Sequence, residues 1–466
     1  MRVLWLAALG LGCTVQIDVI AVPFDVGVRL DASEVEADAQ PGDLPAGDGA
    51  PTTPDAPPTS ELPVGCEDGR VRCGGACVRT DRDPAHCGDC GRACRAGVGC
   101  TEGRCDDAVI DLALGESHLC ALRGNGEVAC WGNNDFGQLG DGSINNRAVP
   151  TPVMGIFGAR HVDVRQSHSC VVATAARELL CWGNNSRGQL GNGGRDDSVL
   201  PVLVTGSRGA TTVSIGQEFS CFAAGQVWCW GDNAQGQLGD GTLMPRRLAG
   251  PVADLDMVAE VAAGGTHACA LRDGRVYCWG EGHDGRLGQG EGAMLRATRP
   301  VEVPGLRGVA QLAVGAYHAC ARVRGDGVWC WGSNNNGQLG DGTFVSRGAP
   351  TRVAEPELLE AKWIVAAPGG FHTCALDGRG GLWCWGNNEG GQVGDGSTAI
   401  RVPLPARVRV PAEAEPMERI RLGAQASCSI SARDGGVWCW GQLGWILPSA
   451  GVGAQRTPRR LPWFGP

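Results

Sequence analysis

The chain has 466 residues, of which 75 are Gly, 27 Pro and 23 Cys, and its formal net charge is −10 from 40 basic and 50 acidic residues. Gly and Pro at this density exclude a helical protein, while 43% hydrophobic residues without a strict Gly-X-Y period exclude disorder and collagen. Ten of the acids lie between Thr14 and Val64 against one base, Arg29, so the acidity belongs to a tether and a basic nucleic-acid footprint is absent.

Met1-Arg2 followed by the apolar stretch Val3 to Gly12 reads as a secretory signal, too short to span a bilayer. Its end, Gly10-Leu11-Gly12-Cys13, resembles a bacterial lipoprotein lipobox, which implies lipid attachment at Cys13. Gly10 departs from the Leu that such boxes usually carry, and ordinary secretion is the alternative. Residues 31–64 are rich in Pro, Asp, Ala and Thr and lack the large apolar side chains that offset ordering entropy. The expected order is therefore a signal at 1–12, a lipid-anchored acidic linker at 13–64, a Cys-rich module at 65–106 and a repeat region at 109–466.

Eight cysteines crowd the module: Cys66, Cys73, Cys77, Cys87, Cys90, Cys94, Cys100 and Cys105. A segment this short with almost no core formers needs staples. Cys87-Gly-Asp-Cys90 offers half a zinc site, but zinc needs a second pair at ligand spacing and a reducing compartment. An even count behind an export signal favours four disulfides, in any of 105 connectivities. The run CGGACVRTDRDPAHCGDCGRAC with its following Cys100 and Cys105 resembles the Stig1-type cysteine-rich modules, which implies no catalytic chemistry.

From Val109 the chain repeats itself. Trp-Gly pairs at Trp131, Trp182, Trp230, Trp279, Trp331, Trp385 and Trp440 recur at a period near 50 and set seven units. Each unit holds two β-like runs around a Gly-rich turn. In the fourth, Ala268 to Leu271 and Val276 to Trp279 flank Arg272-Asp273-Gly274-Arg275, a two-residue hairpin signal that sets Cys269 opposite Cys278. Several short strands per unit mean a propeller or solenoid, and seven nearly equal units favour a closed ring that hides sheet edges. The motif G-x-x-H-x-C-A-L…G-x-V-x-C-W-G-x-N-x-x-G-Q-L-G-D-G resembles the regulator of chromosome condensation (RCC1-type) repeats. That resemblance implies an all-β, seven-bladed β-propeller of four-stranded blades. Phe219 and Ala426 replace the motif His, and the last unit shortens to CWGQLGWILP (439–448).

Every unit carries a cysteine pair: Cys120/Cys130, Cys170/Cys181, Cys221/Cys229, Cys269/Cys278, Cys320/Cys330, Cys374/Cys384 and Cys428/Cys439. Positions opposite across a hairpin suit disulfides, and the alternative is reduced Cys packed as small hydrophobes. Cys13, eight module cysteines and these fourteen account for all 23.

Catalytic signatures are missing: the sequence holds no H-E-x-x-H, G-x-S-x-G or P-loop. His118, His168, His267, His318 and His372 recur at one unit position, which reads as structural bonding to neighbouring backbone rather than as a metal site. The Gly-Asp-Gly turns at Asp141, Asp240, Asp341 and Asp395 read as plain turns, lacking the oxygen-rich spacing of a calcium loop. No cofactor or metal is expected. Variable, Arg- and polar-rich segments follow the G-Q-L-G turns, at Ser143 to Val149, Arg195 to Leu200, Leu243 to Ala249 and Glu291 to Thr298. The expected protein is a non-catalytic, monomeric binding scaffold of the bacterial cell envelope or secreted fraction. Its expected partner is an extracytoplasmic protein or glycan, with membrane contact through the N-terminal lipid and no nucleic acid. An inhibitor of an extracellular enzyme and an unrecognised hydrolase are the alternatives.

Overall fold

A computed structural model of the chain describes residues 66–464, apart from 67–68, 92, 95–98, 102, 174, 293 and 448–452. Cys13, the signal and the acidic linker lie outside the described residues. From Val109 on, the repeats form seven four-stranded antiparallel sheets, each built from four consecutive strands. In blade 1 these are Val109–Leu114, His118–Arg123, Val128–Gly132 and Arg147–Pro152. The first strands of blades 2 to 7 are His161–Arg165, Thr212–Ile215, Glu260–Ala263, Val309–Val314, Trp363–Ala366 and Met417–Leu422. First strands of successive blades touch around the axis, and that of blade 7 touches that of blade 1. The all-β, seven-bladed propeller is thus closed, with first strands innermost.

The local sequence dictates each blade. Asp273 and Gly274 both have positive φ, 49° and 71°, as a two-residue hairpin turn requires. That turn sets Leu271 opposite Val276 and Cys269 opposite Cys278. Alternation then sends Cys and the Trp after it to opposite faces. Cys120 and Cys130 lie in the core shared with blade 2, beside Trp182. Trp131 lies in the core shared with blade 7. In every blade the third and fourth strands slip register at the Cys-Trp-Gly step, a bulge around the tryptophan. Gly132, at φ 109°, must be glycine there, because a Cβ would strike the Ser117 carbonyl and the His118 backbone.

The cysteine-rich module forms two short hairpin pairings, Val71–Cys73 with Ala76–Val78 and Cys100–Thr101 with Arg104–Cys105. It leads into blade 1, where the Gly124 and Asn125 amides donate to the carbonyls of Ala108 (2.9 Å) and Asp106 (3.0 Å). The module thus sits at the turn end of the blade 1 to blade 7 seam.

Candidate functional site

In each blade the paired cysteines occupy directly opposed positions with Cα atoms 4.0–4.1 Å apart, bonded to each other and fully buried. The pairs are Cys120–Cys130, Cys170–Cys181, Cys221–Cys229, Cys269–Cys278, Cys320–Cys330, Cys374–Cys384 and Cys428–Cys439. In the module the bonds are Cys66–Cys77, Cys73–Cys90, Cys87–Cys100 and Cys94–Cys105. Cys87 and Cys90 thus belong to different disulfides. The sulfurs of Cys87, Cys94 and Cys105 lie within 4.8 Å of one another, but each is already bonded and none is a free thiolate.

The recurring histidines correct one expectation. Four of the five bond a hydroxyl of the next blade rather than backbone. His118 Nε2 lies 2.9 Å from Ser169 Oγ, and Ser169 Oγ donates to the Gln138 carbonyl. The hydroxyl proton is therefore committed, so His118 Nε2 must be the protonated nitrogen that donates to it. The same carbonyl accepts Trp182 Nε1 at 2.8 Å. The knot recurs with His168, Ser220, Gln189 and Trp230, with His318, Thr373, Gln338 and Trp385, and with His372, Ser427, Gln392 and Trp440. Burial pushes His118, His168, His318 and His372 down to about 3, so each remains neutral. Phe219 and Ala426, which replace the histidine, face next blades whose corresponding residues, Ala268 and Leu119, have no hydroxyl. His267 breaks this match: its counterpart is Ala319, and both ring nitrogens are buried without a partner. Ala319→Ser is expected to supply the missing hydroxyl and stabilise the protein by about 1 kcal/mol, read as a raised midpoint in thermal unfolding. An unchanged or lowered midpoint would contradict the assignment of these histidines as seam donors.

The innermost strands enclose an axial channel of about 350 Å³. Their axis-facing edges have no strand partner, and side chains from the preceding blade satisfy them. His161 Nε2 donates to the Val213 carbonyl (3.0 Å), and Asp163 accepts the Ile215 amide (2.8 Å). Ser214 accepts Ala263, Glu260 accepts Leu312, and Gln311 both donates to and accepts from Ile364. At the closing seam Arg421 donates to the Leu112 carbonyl (3.1 Å) and pairs with Asp111 (2.8 Å). Burial raises the Asp163 carboxyl and pushes Glu260 up to about 7. The channel chemistry therefore stitches blades together.

The surface loops differ in kind. First-to-second and third-to-fourth connections emerge on one face, because the strands alternate in direction. In blades 1, 2, 3, 5 and 6 the long loop there is pinned by the motif asparagine. In blade 4 Gly282 takes its place, and its amide donates to the Leu295 carbonyl (2.8 Å). Asn134 Nδ2 donates to the carbonyls of Ser143 (2.9 Å) and Asn145 (3.1 Å), while its Oδ1 accepts the Leu139 amide. Asn233, Asn334 and Asn388 repeat the pattern. Loop arginines turn onto the Gly-Asp-Gly aspartates: Arg147 to Asp141 (2.6 Å), Arg246 to Asp240 (3.1 Å) and Arg347 to Asp341 (3.0 Å). Burial raises the Asp141 carboxyl, but bonds from Ser143 and Arg147 outweigh it and hold the group below the usual range. With those polar groups engaged, the loops present apolar side chains instead: Ile144, Met244, Leu295, Phe344, Val345 and Ile400 are exposed by 43–70%. Arg147, Arg246 and Arg347 are thus engaged within their loops, while Arg195 and Arg247 stay exposed as expected.

Six stretches match the regulator of chromosome condensation (RCC1) repeat model, at residues 125–173, 178–223, 224–271, 273–322, 326–376 and 379–430. Residues 59–108 match the stigma-specific STIG1-like protein family. The chain is 30% identical over 306 residues to the ultraviolet-B receptor UVR8 of Arabidopsis thaliana, across 63% of this chain and 68% of the receptor. It is 34% identical over 300 residues to the human E3 ubiquitin-protein ligase HERC2, across 63% of this chain but 5% of the ligase. Among solved structures, human WBSCR16 superposes with a TM-score of 0.62 at 21% identity, covering 72% of this chain and 94% of that one. Yeast RCC1 (Prp20) bound to Kap60 gives 0.62 at 21% identity, covering 76% and 85%. At these identities the structural matches speak to the fold alone.

Proposed function

The chain belongs to the regulator of chromosome condensation (RCC1) repeat family, and from that premise we propose that it is a non-catalytic scaffold that binds a partner protein through the loop face. One observation carries the reading: loops pinned by buried asparagines hold Ile144, Met244, Phe344, Val345 and Ile400 exposed on one face, and the blade 4 loop, tied by donation of the Gly282 amide to the Leu295 carbonyl, adds Leu295. Preorganised apolar side chains lose little entropy when covered, so they favour association. Support also comes from relatives of this fold whose structures concern protein partners, Kap60 for yeast RCC1, and Gsp1p and histones for Prp20p. The placement belongs to the same reading: an exported bacterial form held at the envelope by lipid on Cys13, with the acidic linker as spacer and the propeller monomeric.

The triple substitution Met244→Asp, Leu295→Asp and Phe344→Asp is expected to lower partner capture from envelope extract at least about tenfold while leaving the thermal midpoint unchanged. Capture equal to that of the wild type would remove the loop face from the reading. Palmitate incorporation in cells tests the anchor separately, and its persistence in Cys13→Ala would refute lipidation at that residue.

A further inference from the structure

On the face opposite those loops, the repeat is shortened between blades 3 and 4, where the connection is only 257–259, and lengthened on both sides of blade 6. Three connections between fourth and first strands run over 153–160, 204–211 and 303–308 and turn at paired glycines, Gly155 and Gly158, Gly206 and Gly209, Gly305 and Gly308. The connections on either side of blade 6, 353–362 and 408–416, are longer and carry Pro and Glu where the others carry Gly. The first contains a 3₁₀ turn, Pro356–Glu360. The second ends at Glu415-Pro416. Both converge on the blade 6 hairpin turn and enclose a cavity of about 710 Å³, twice the volume of the axial channel.

The lining mixes three chemistries. Trp383 supplies a half-buried indole, fixed by donation of its Nε1 to Asp377 (3.1 Å). Asp377 also accepts the amides of Arg379 and Gly381, which hold the hairpin turn against the ring. The cavity is also lined by Glu357, Glu360 and Arg379 and by Arg407 and Glu415, which face each other at 3.8 Å. Carboxylates accept hydroxyl protons, guanidinium groups donate to hydroxyl oxygens, and an indole face covers C–H surface. Charges of both signs disfavour a simple ion of either sign. A neutral ligand with many hydroxyls and an apolar ring face answers all three. The volume lies within the range of small-molecule sites.

From this arrangement we propose that the blade 6 cavity is a saccharide-binding site, with Trp383 as the stacking platform and Glu360, Arg379 and Arg407 as hydroxyl partners. The site is independent of the loop face. The aromatic recurs at this hairpin position, as Trp228, Tyr277, Trp329 and Trp438, and what is particular to blade 6 is the pair of long connections around it. Ala129 in blade 1 and Leu180 in blade 2 show that a blade also forms without the aromatic. Trp383→Leu is therefore a substitution that the blade architecture already tolerates.

The test is isothermal titration of the full chain with cellobiose, diacetylchitobiose, maltose and lactose, each up to about 10 mM. At least one is expected to bind the wild type. Trp383→Leu is expected to weaken that binding at least about tenfold with an unchanged thermal midpoint, and Arg379→Met to weaken it with the midpoint likewise retained. Binding of none of the four would overturn the proposal, and so would equal binding by wild type and Trp383→Leu. Benzamidine binding without saccharide binding would reassign the cavity to cationic ligands. Loss of saccharide binding with partner capture intact would separate this site from the loop face.

Discussion

Full reduction of the disulfides is expected to abolish the cooperative thermal transition of the propeller. Each blade disulfide closes a loop of 8–11 residues. In the chain-entropy account such a loop contributes about 2.5–2.8 kcal/mol by restricting the unfolded chain. Seven sum to about 18 kcal/mol, beyond the 5–15 kcal/mol that typically separates native from unfolded domains. Reduction removes that restriction without touching a single apolar contact, so the loss arises in the unfolded state. All fourteen sulfurs are buried, so reductant alone should act slowly and reductant with denaturant quickly. The measurement pairs free-thiol counting by mass spectrometry with calorimetry after the denaturant is removed. A fully reduced chain that melted at the oxidised temperature would show that burial between blades, and not the covalent bonds, holds the ring. On a smaller scale, the double change Cys221→Ala and Cys229→Ala should cost about 2.5 kcal/mol.

The second large effect is expected at ring closure. Asp111 is 5% exposed and its main partner is Arg421, which also donates to the Leu112 carbonyl and lies over Trp363. Arg419 is a weaker companion at 3.9 Å. Arg421→Ala leaves the buried carboxylate only the distant Arg419 and His161 (4.0 Å) as ion-pair partners and unties the blade 1 edge, which should destabilise by about 3 kcal/mol. Removing both charges in Asp111→Asn with Arg421→Met should recover most of the loss, because the penalty belongs to the unpaired charge. Chemical denaturation of the four members of this cycle gives the coupling energy. Additive single effects would mean that the pair does not act as a unit. The mechanism also has a structural mark: Trp131 Nε1 donates to Ile446, where the other seams use the carbonyl at the motif Gln position, so the seam already departs from the repeat.

Cysteine pairing in the blades was legible because hairpin register is local: once Asp273-Gly274 is a turn, Cys269 must face Cys278. The knots were half legible. That His118, His168, His318 and His372 answer Ser169, Ser220, Thr373 and Ser427 can be read from the chain, but only once blade faces are known to meet in that order. The module pairing was not legible, since eight cysteines without a core impose no local register. The axial channel was equally hidden, because its lining is gathered from short stretches, one per blade, about fifty positions apart. Loop character misled for a third reason. Arg147 and Arg347 count as surface charge in sequence, yet each is consumed by the aspartate six residues before it, leaving Ile144 and Phe344 outermost.

Among the described residues, no strand of any blade comes from another blade's stretch of chain. The ring is therefore cyclic in its contacts but not in its connectivity, and no seam is topologically privileged. A permuted chain could begin at blade 3 and end at blade 2, provided a short bridge joined the old ends at the blade 7 to blade 1 seam. Each blade is consequently a unit that can be duplicated or exchanged as one continuous segment of gene.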